Sequence, residues 1–138
     1  MKSLATLIKL QKTYVDEQRQ QLAKLQERLE QIEMQIAQLE VEKAREQIAA
    51  EQNPEARATY GAFVKAAVAK GRELDKERQI AIAAVEAARD KLTELFEEQK
   101  RYETAEEARI AAEEKEERRR ETIELDEIGG ITHERNKG

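Results

Sequence analysis

His133 is the one histidine in a chain that has no cysteine. Imidazole and thiolate, the side chains that most readily hold zinc or move protons near neutrality, are therefore almost missing. His133 follows Gly129-Gly130 near the C-terminus and has no second histidine with which to share a metal ion, so neither ligand nor general acid-base chemistry is expected of it. The remaining chemistry-bearing groups are carboxylates, and they alternate with Lys and Arg. Glu114 with Arg118 and Glu116 with Arg120 stand at i,i+4 in the favourable order, where each pair contributes roughly 0.3 kcal/mol to a solvated helix. No glycine-rich loop of the phosphate-cradling type occurs. The residue types predict no enzyme, no cofactor and no metal site.

What remains is the machinery of long helices. The 138 residues are 40% charged and only 4% aromatic, with a single proline. Such a composition is too poor in bulky side chains to fill a compact interior but can line a narrow seam between helices. Disorder is the competing reading of high charge, and strict apolar periodicity argues against it. A net charge of -5 without a basic face argues against nucleic acid. No apolar run reaches the roughly 20 residues of a membrane span, and absent thiols permit a reducing compartment. The expectation is a soluble cytoplasmic protein.

Read in heptads, Ile8, Val15, Leu22, Leu29 and Ile36 share one seam position, and Leu4, Gln11, Gln18, Leu25, Ile32 and Leu39 the other. The stripe thins at Lys43 and Glu46. Then Asn53-Pro54-Glu55 reads as a helix start: an amide to accept from free backbone N–H groups, proline at the first helical position, and a carboxylate facing the dipole. A second stripe follows through Tyr60, Val64, Ala67, Gly71, Leu74, Arg78, Ala81, Val85, Ala88, Leu92, Leu95, Gln99 and Tyr102. In an antiparallel hairpin the residue numbers of facing layers add to a constant. Pairing Leu4 with Tyr102, Gln11 with Leu95, Gln18 with Ala88, Ile32 with Leu74, Ile36 with Gly71 and Leu39 with Ala67 holds that sum at 106 or 107, and it centres the turn where Asn53-Pro54 independently puts it.

The predicted fold is all-α: two long helices in an antiparallel left-handed coiled-coil hairpin, a single domain over 1–138. Its predicted parts are helix 1 at about 3–49, a turn at about 50–53, helix 2 at about 54–128, and a flexible tail at 129–138 beginning at the glycine pair. Paired arms of about 50 residues span roughly 75 Å. A parallel dimer of one kinked helix is the competing topology. The register leaves nothing in helix 1 to cover residues beyond Tyr102, so helix 2 overhangs as a single helix. Ile123, Leu125 and Ile128 form an apolar cluster on it that either seeks a partner or frays.

Across nearly its whole length the sequence resembles the FliJ family of bacterial flagellar export proteins. The resemblance rests on Leu4-Ala5-Thr6-Leu7, the Leu22 to Leu39 heptads, the Tyr60 to Val64 segment and the run from Glu121 to Glu127. It implies a cytoplasmic component of the type III export apparatus, peripheral to the inner membrane and similar to the central stalk of rotary ATPases. The implied partners are a hexameric export ATPase ring, the cytoplasmic domain of the membrane export gate, and export chaperones. The end carrying both termini, with Leu4, Leu7, Ile8, Leu10, Ile123, Leu125 and Ile128, would enter the ring. The hinge end, with Leu39, Tyr60 and Phe63, would face the gate. Phe63 lies beside the seam position Val64 and is a candidate interface anchor; the alternative is that Tyr60 and Phe63 only staple the hinge. Gly129-Gly130 departs from a stretch where family members more often stay helical and basic. An isolated chain would be a monomer. The competing functions are an injectisome counterpart, a chaperone escort module and a generic dimeric scaffold.

Overall fold

The computed structural model describes residues 3–137, without the side chains of residues 132–134, 136 and 137. Two helices account for it: α1, Leu4–Gln52, and α2, Pro54–Lys137. They pack against each other as a helical hairpin. Ser3 caps α1: its Oγ accepts from the Thr6 N–H at 3.2 Å, satisfying one of the free donors of a helix start, and its carbonyl accepts the first helical bond, from the Leu7 N–H at 3.0 Å.

Asn53 is the whole connection. Its N–H donates to the Ala49 carbonyl at 2.9 Å, closing the last turn of α1, while its Oδ1 accepts from the Glu55 N–H at 2.9 Å and opens α2. Helix 1 thus runs to Gln52, beyond the expected limit near residue 49. Ala49, Ala50, Glu51 and Gln52 are good helix formers, and the break falls on Asn53 because the residue before proline is pushed out of the α region. Arg57 then reaches back across the link. Its Nε donates to the Ala50 carbonyl at 3.0 Å and its Nη2 to the Glu51 carbonyl at 3.3 Å. The last turn of α1 has no basic residue of its own, so α2 supplies the positive charge that the carbonyl end of α1 favours.

The chain divides into two compact units, Tyr14–Glu94 and Met1–Thr13 with Leu95–Gly138. In the first, the buried apolar residues include Val15, Ile32 and Leu39 of α1, and Ala67, Leu74, Ala81, Val85 and Ala88 of α2, all on the expected seam. Ile32 and Leu74 are each 1% exposed. Gln18 is buried, and its Nε2 donates to the Ala88 carbonyl at 3.1 Å, which fixes the register at the expected layer. Arg28 with Glu77 and Glu33 with Arg78 flank the seam as half-solvated ion pairs at 3.9 and 3.5 Å, a geometry that contributes little. Near the hinge the seam rotates by one residue: Phe63 packs inward against the cluster of Leu39, Ala67 and Leu74, whereas Val64 is exposed.

Gly71 faces Leu39 closely. A methyl group added to Gly71 would meet Leu39 Cδ2 at 3.6 Å, an ordinary contact. Gly71→Ala is therefore expected to stabilise the hairpin by about 0.5–1 kcal/mol through helix propensity, read as a higher urea midpoint at unchanged slope.

In the second unit Leu4, Ile8, Leu95, Gln99 and Tyr102 are half-buried and Gln11 is buried. Gln11 Nε2 donates to the Leu95 carbonyl at 3.1 Å and lies 3.4 Å from Glu98 Oε2, while the Tyr102 hydroxyl donates to Glu98 Oε1 at 2.9 Å. The hydrogen bond to Glu98, with the carboxylate's charge, raises the Tyr102 phenol above its ordinary value, because the bond needs the proton to stay. Beyond this network α2 has no α1 residue opposite it: of residues 107–131, all but the half-buried Glu116 are exposed.

Gly129-Gly130 does not end α2. Among the described residues no glycine has a positive φ, and the helix continues to Lys137. A helical glycine costs about 1 kcal/mol against alanine, but no proline or left-handed cap follows to force a stop. His133 lies within α2, and its side chain is outside the described residues.

Candidate partner-binding surfaces

The residues expected to meet partners fall on three surfaces. Leu4, Leu7, Ile8 and Leu10 are all half-buried at the start of α1, so each keeps some area for contact after packing on α2. Ile123, Leu125 and Ile128 stand on the bare part of α2 at 43%, 68% and 60% exposure. Ile131, at 53%, joins Leu125 and Ile128 at successive steps of three. That extends the stripe past the glycine pair, a continuation hidden from the sequence by the expectation that the helix had ended.

At the hinge the three expected residues differ in accessibility. Leu39 is 9% exposed and lies inside the hairpin, where it supports a surface without forming one. Phe63 is half-buried over it, and its ring stacks on Tyr60 with centroids 6.5 Å apart and planes 20° from parallel. An open groove runs beside them between Lys43, Ala44 and Gln47 of α1 and Val64 and Val68 of α2. The exposed Val64 and Val68 are residues that the seam reading misses. Arg57, the hinge's polar clasp, is missed as well, because nothing in local sequence marks a side chain that caps the preceding helix.

The charged stretch between the seam and the apolar tip is laced along its own axis. Arg109 bridges Glu106 and Glu113, each at 2.7 Å, and Glu116 receives Arg119 at 2.7 Å and Arg120 at 3.6 Å. Glu116–Arg120 is one of the two expected pairs; Glu114–Arg118 is not among the ion pairs of the described residues. Hydrogen bonds from Arg109 and Arg119 hold the Glu106 and Glu116 carboxyls below their ordinary value. Whatever these pairs add to the helix is complete above the ordinary carboxylate range and is lost as the pH falls through the lowered values. Among the described residues no group of acidic or histidine side chains could hold a metal ion, and no helix is long and apolar enough to cross a membrane.

A seam-closed hairpin with open apolar stripes on its outer faces defines an all-helical hairpin protein. The family described as Flagellar FliJ protein matches residues 1–138. The chain belongs to the FliJ family, a family of non-catalytic components of the flagellar type III export apparatus. Comparison with curated proteins and with solved structures gives no match.

Proposed function

We propose that this chain is the central stalk and coupling factor of the hexameric export ATPase and links that ring to the cytoplasmic domain of the membrane export gate. The observation that carries the reading is the bare stretch of α2: an ion-pair-laced helix without an α1 partner that carries exposed Ile123, Leu125 and Ile128. An isolated helix of this kind is suited to insertion, since its backbone is satisfied internally and its apolar tip gains by leaving water. Leu4, Leu7, Ile8 and Leu10 belong to the same ring-facing end. Tyr60 and Phe63, supported from below by Leu39, form the gate-facing end. Export chaperones are further partners, and the chain works on the cytoplasmic side, peripheral to the inner membrane.

A stalk needs no chemistry of its own. By contacting ring subunits unequally it stabilises one arrangement of their conformations over another, and so shifts which sites are competent to hydrolyse ATP. Adding the full chain to the purified export ATPase should raise ATP turnover. Leu125→Glu with Ile128→Glu should cut that stimulation to about a tenth or less. Both residues are exposed, so the circular dichroism of the variant should be unchanged. Full stimulation by the double variant would overturn the reading.

A further inference from the structure

The outer face of α1 carries a second heptad stripe that α2 does not cover. Met34, Val41 and Ile48 recur one heptad apart at 58%, 50% and 54% exposure, with Ala37 and Ala44, also exposed, at the intervening steps. Met34 and Val41 lie on the side of α1 away from Ile32 and Leu39, because an offset of two residues turns about 200° around a helix of 3.6 residues per turn; Ala37 and Ala44 form the edge of the stripe nearer α2, where Ala44 also lines the hinge groove. A shallow depression runs along it between Met34, Ala37, Val41 and Arg45. Spacing of alternating three and four is what a helical neighbour in a coiled coil requires, and no helix of this chain occupies the place.

We propose that this stripe is a weak homodimer interface, taken by the same stripe of a second copy running antiparallel. The order of side-chain sizes is the argument. Large, small, large, small, large reads the same in both directions about Val41, so a two-fold axis there sets Met34 against Ile48 of the other copy, Ala37 against Ala44, and Val41 against itself. The alanines recur every seventh residue and let the backbones approach, while the larger side chains fill the space beside them. An interface made of one patch on both subunits must be self-complementary in this way. Flanking polar residues agree, since Gln38 comes opposite Arg45 of the other copy. Glu40 is brought near its counterpart, but its carboxylate is already paired with Lys43 at 3.1 Å. The stripe is about 22 Å long at 1.5 Å per residue and buries about half of the roughly 800 Å² per partner that a stable specific complex uses. The dimer is therefore transient: the chain is a monomer when dilute and pairs when crowded.

A chain without cysteine allows a direct test. Under mild oxidation of the full chain at about 100 µM, Val41→Cys should cross-link to itself about tenfold faster than Asp90→Cys, placed on an exposed part of α2, because only the former sits on the two-fold axis within disulfide reach. Met34→Cys should cross-link poorly with itself and readily with Ile48→Cys, which distinguishes antiparallel from parallel pairing. Adding Ala37→Glu and Ala44→Glu to Val41→Cys should return its rate to that of Asp90→Cys with helicity retained, both sites being exposed. Sedimentation of the unmodified chain should show its average mass rising above 15.9 kDa as concentration approaches about 1 mM. Equal rates for Val41→Cys and Asp90→Cys, a monomer throughout that range, or preferential Met34→Cys self-linking would each overturn the proposal; a monomer throughout would leave the stripe to a different protein.

Discussion

Leu74→Ala should lower the stability of the hairpin by about 2–5 kcal/mol, the loss seen when a large aliphatic side chain is removed from a packed interior. Leu74 is 1% exposed and belongs to the cluster with Leu39 and Ala67. In a two-helix seam each layer has few neighbours that could collapse into the gap, and the cavity would persist. Urea unfolding followed at 222 nm should show the midpoint falling by a large fraction of its value, whereas Ile80→Ala, at a residue 71% exposed, should leave it nearly unmoved. Comparable midpoints for the two variants would mean that this layer does not hold the helices together.

The second large effect has the opposite sign. Gln11 and Gln18 are buried at 4% and 8% exposure, one heptad apart, and each donates across the seam to a backbone carbonyl of α2. Within an apolar seam a buried amide lowers stability but names its partner. Gln11→Leu with Gln18→Leu should raise resistance to urea by about 1–2 kcal/mol, since apolar burial replaces two desolvated amides while the Leu95 and Ala88 carbonyls keep their helical donors. It should also weaken the choice of register, so that light scattering finds dimers and larger species beside the monomer. A double variant that is less stable and strictly monomeric would show the glutamines to be net stabilising without setting the register.

The hairpin was legible because two independent features of the sequence converge. Heptad stripes give each helix its face, and Asn53-Pro54 marks where the chain turns; the Gln11–Leu95 and Gln18–Ala88 hydrogen bonds then fall on the layers that a constant sum predicts. Local detail was less legible where competing preferences are close in energy. Lys43, Glu46 and Val64 are weak seam residues, and there the larger Phe63 takes the inward place from Val64. Gly129 and Gly130 carry an ordinary stop signal, yet that signal acts only if the chain leaves the α region, and here it does not. The exposure of Ile123, Leu125 and Ile128 was legible from a register that leaves α1 nothing to cover them. Which of them a partner covers depends on that partner's shape, a property the sequence of one chain does not contain.

The single-residue link at Asn53 also governs the order in which the hairpin can assemble. Arg57 clasps Ala50 across only 7 residues of chain, whereas the Gln18 and Gln11 bonds join groups separated by 70 and 84. Closing the far layers first would need large loops, but each layer brings the next within reach, so zipping from the link replaces one long search with a series of short ones. Emerging from the ribosome, α1 is complete before Pro54 appears, and every further turn of α2 up to Tyr102 finds its place already waiting. The bare stretch beyond arrives last and takes no part in closure. Changes there can accumulate at little expense to folding.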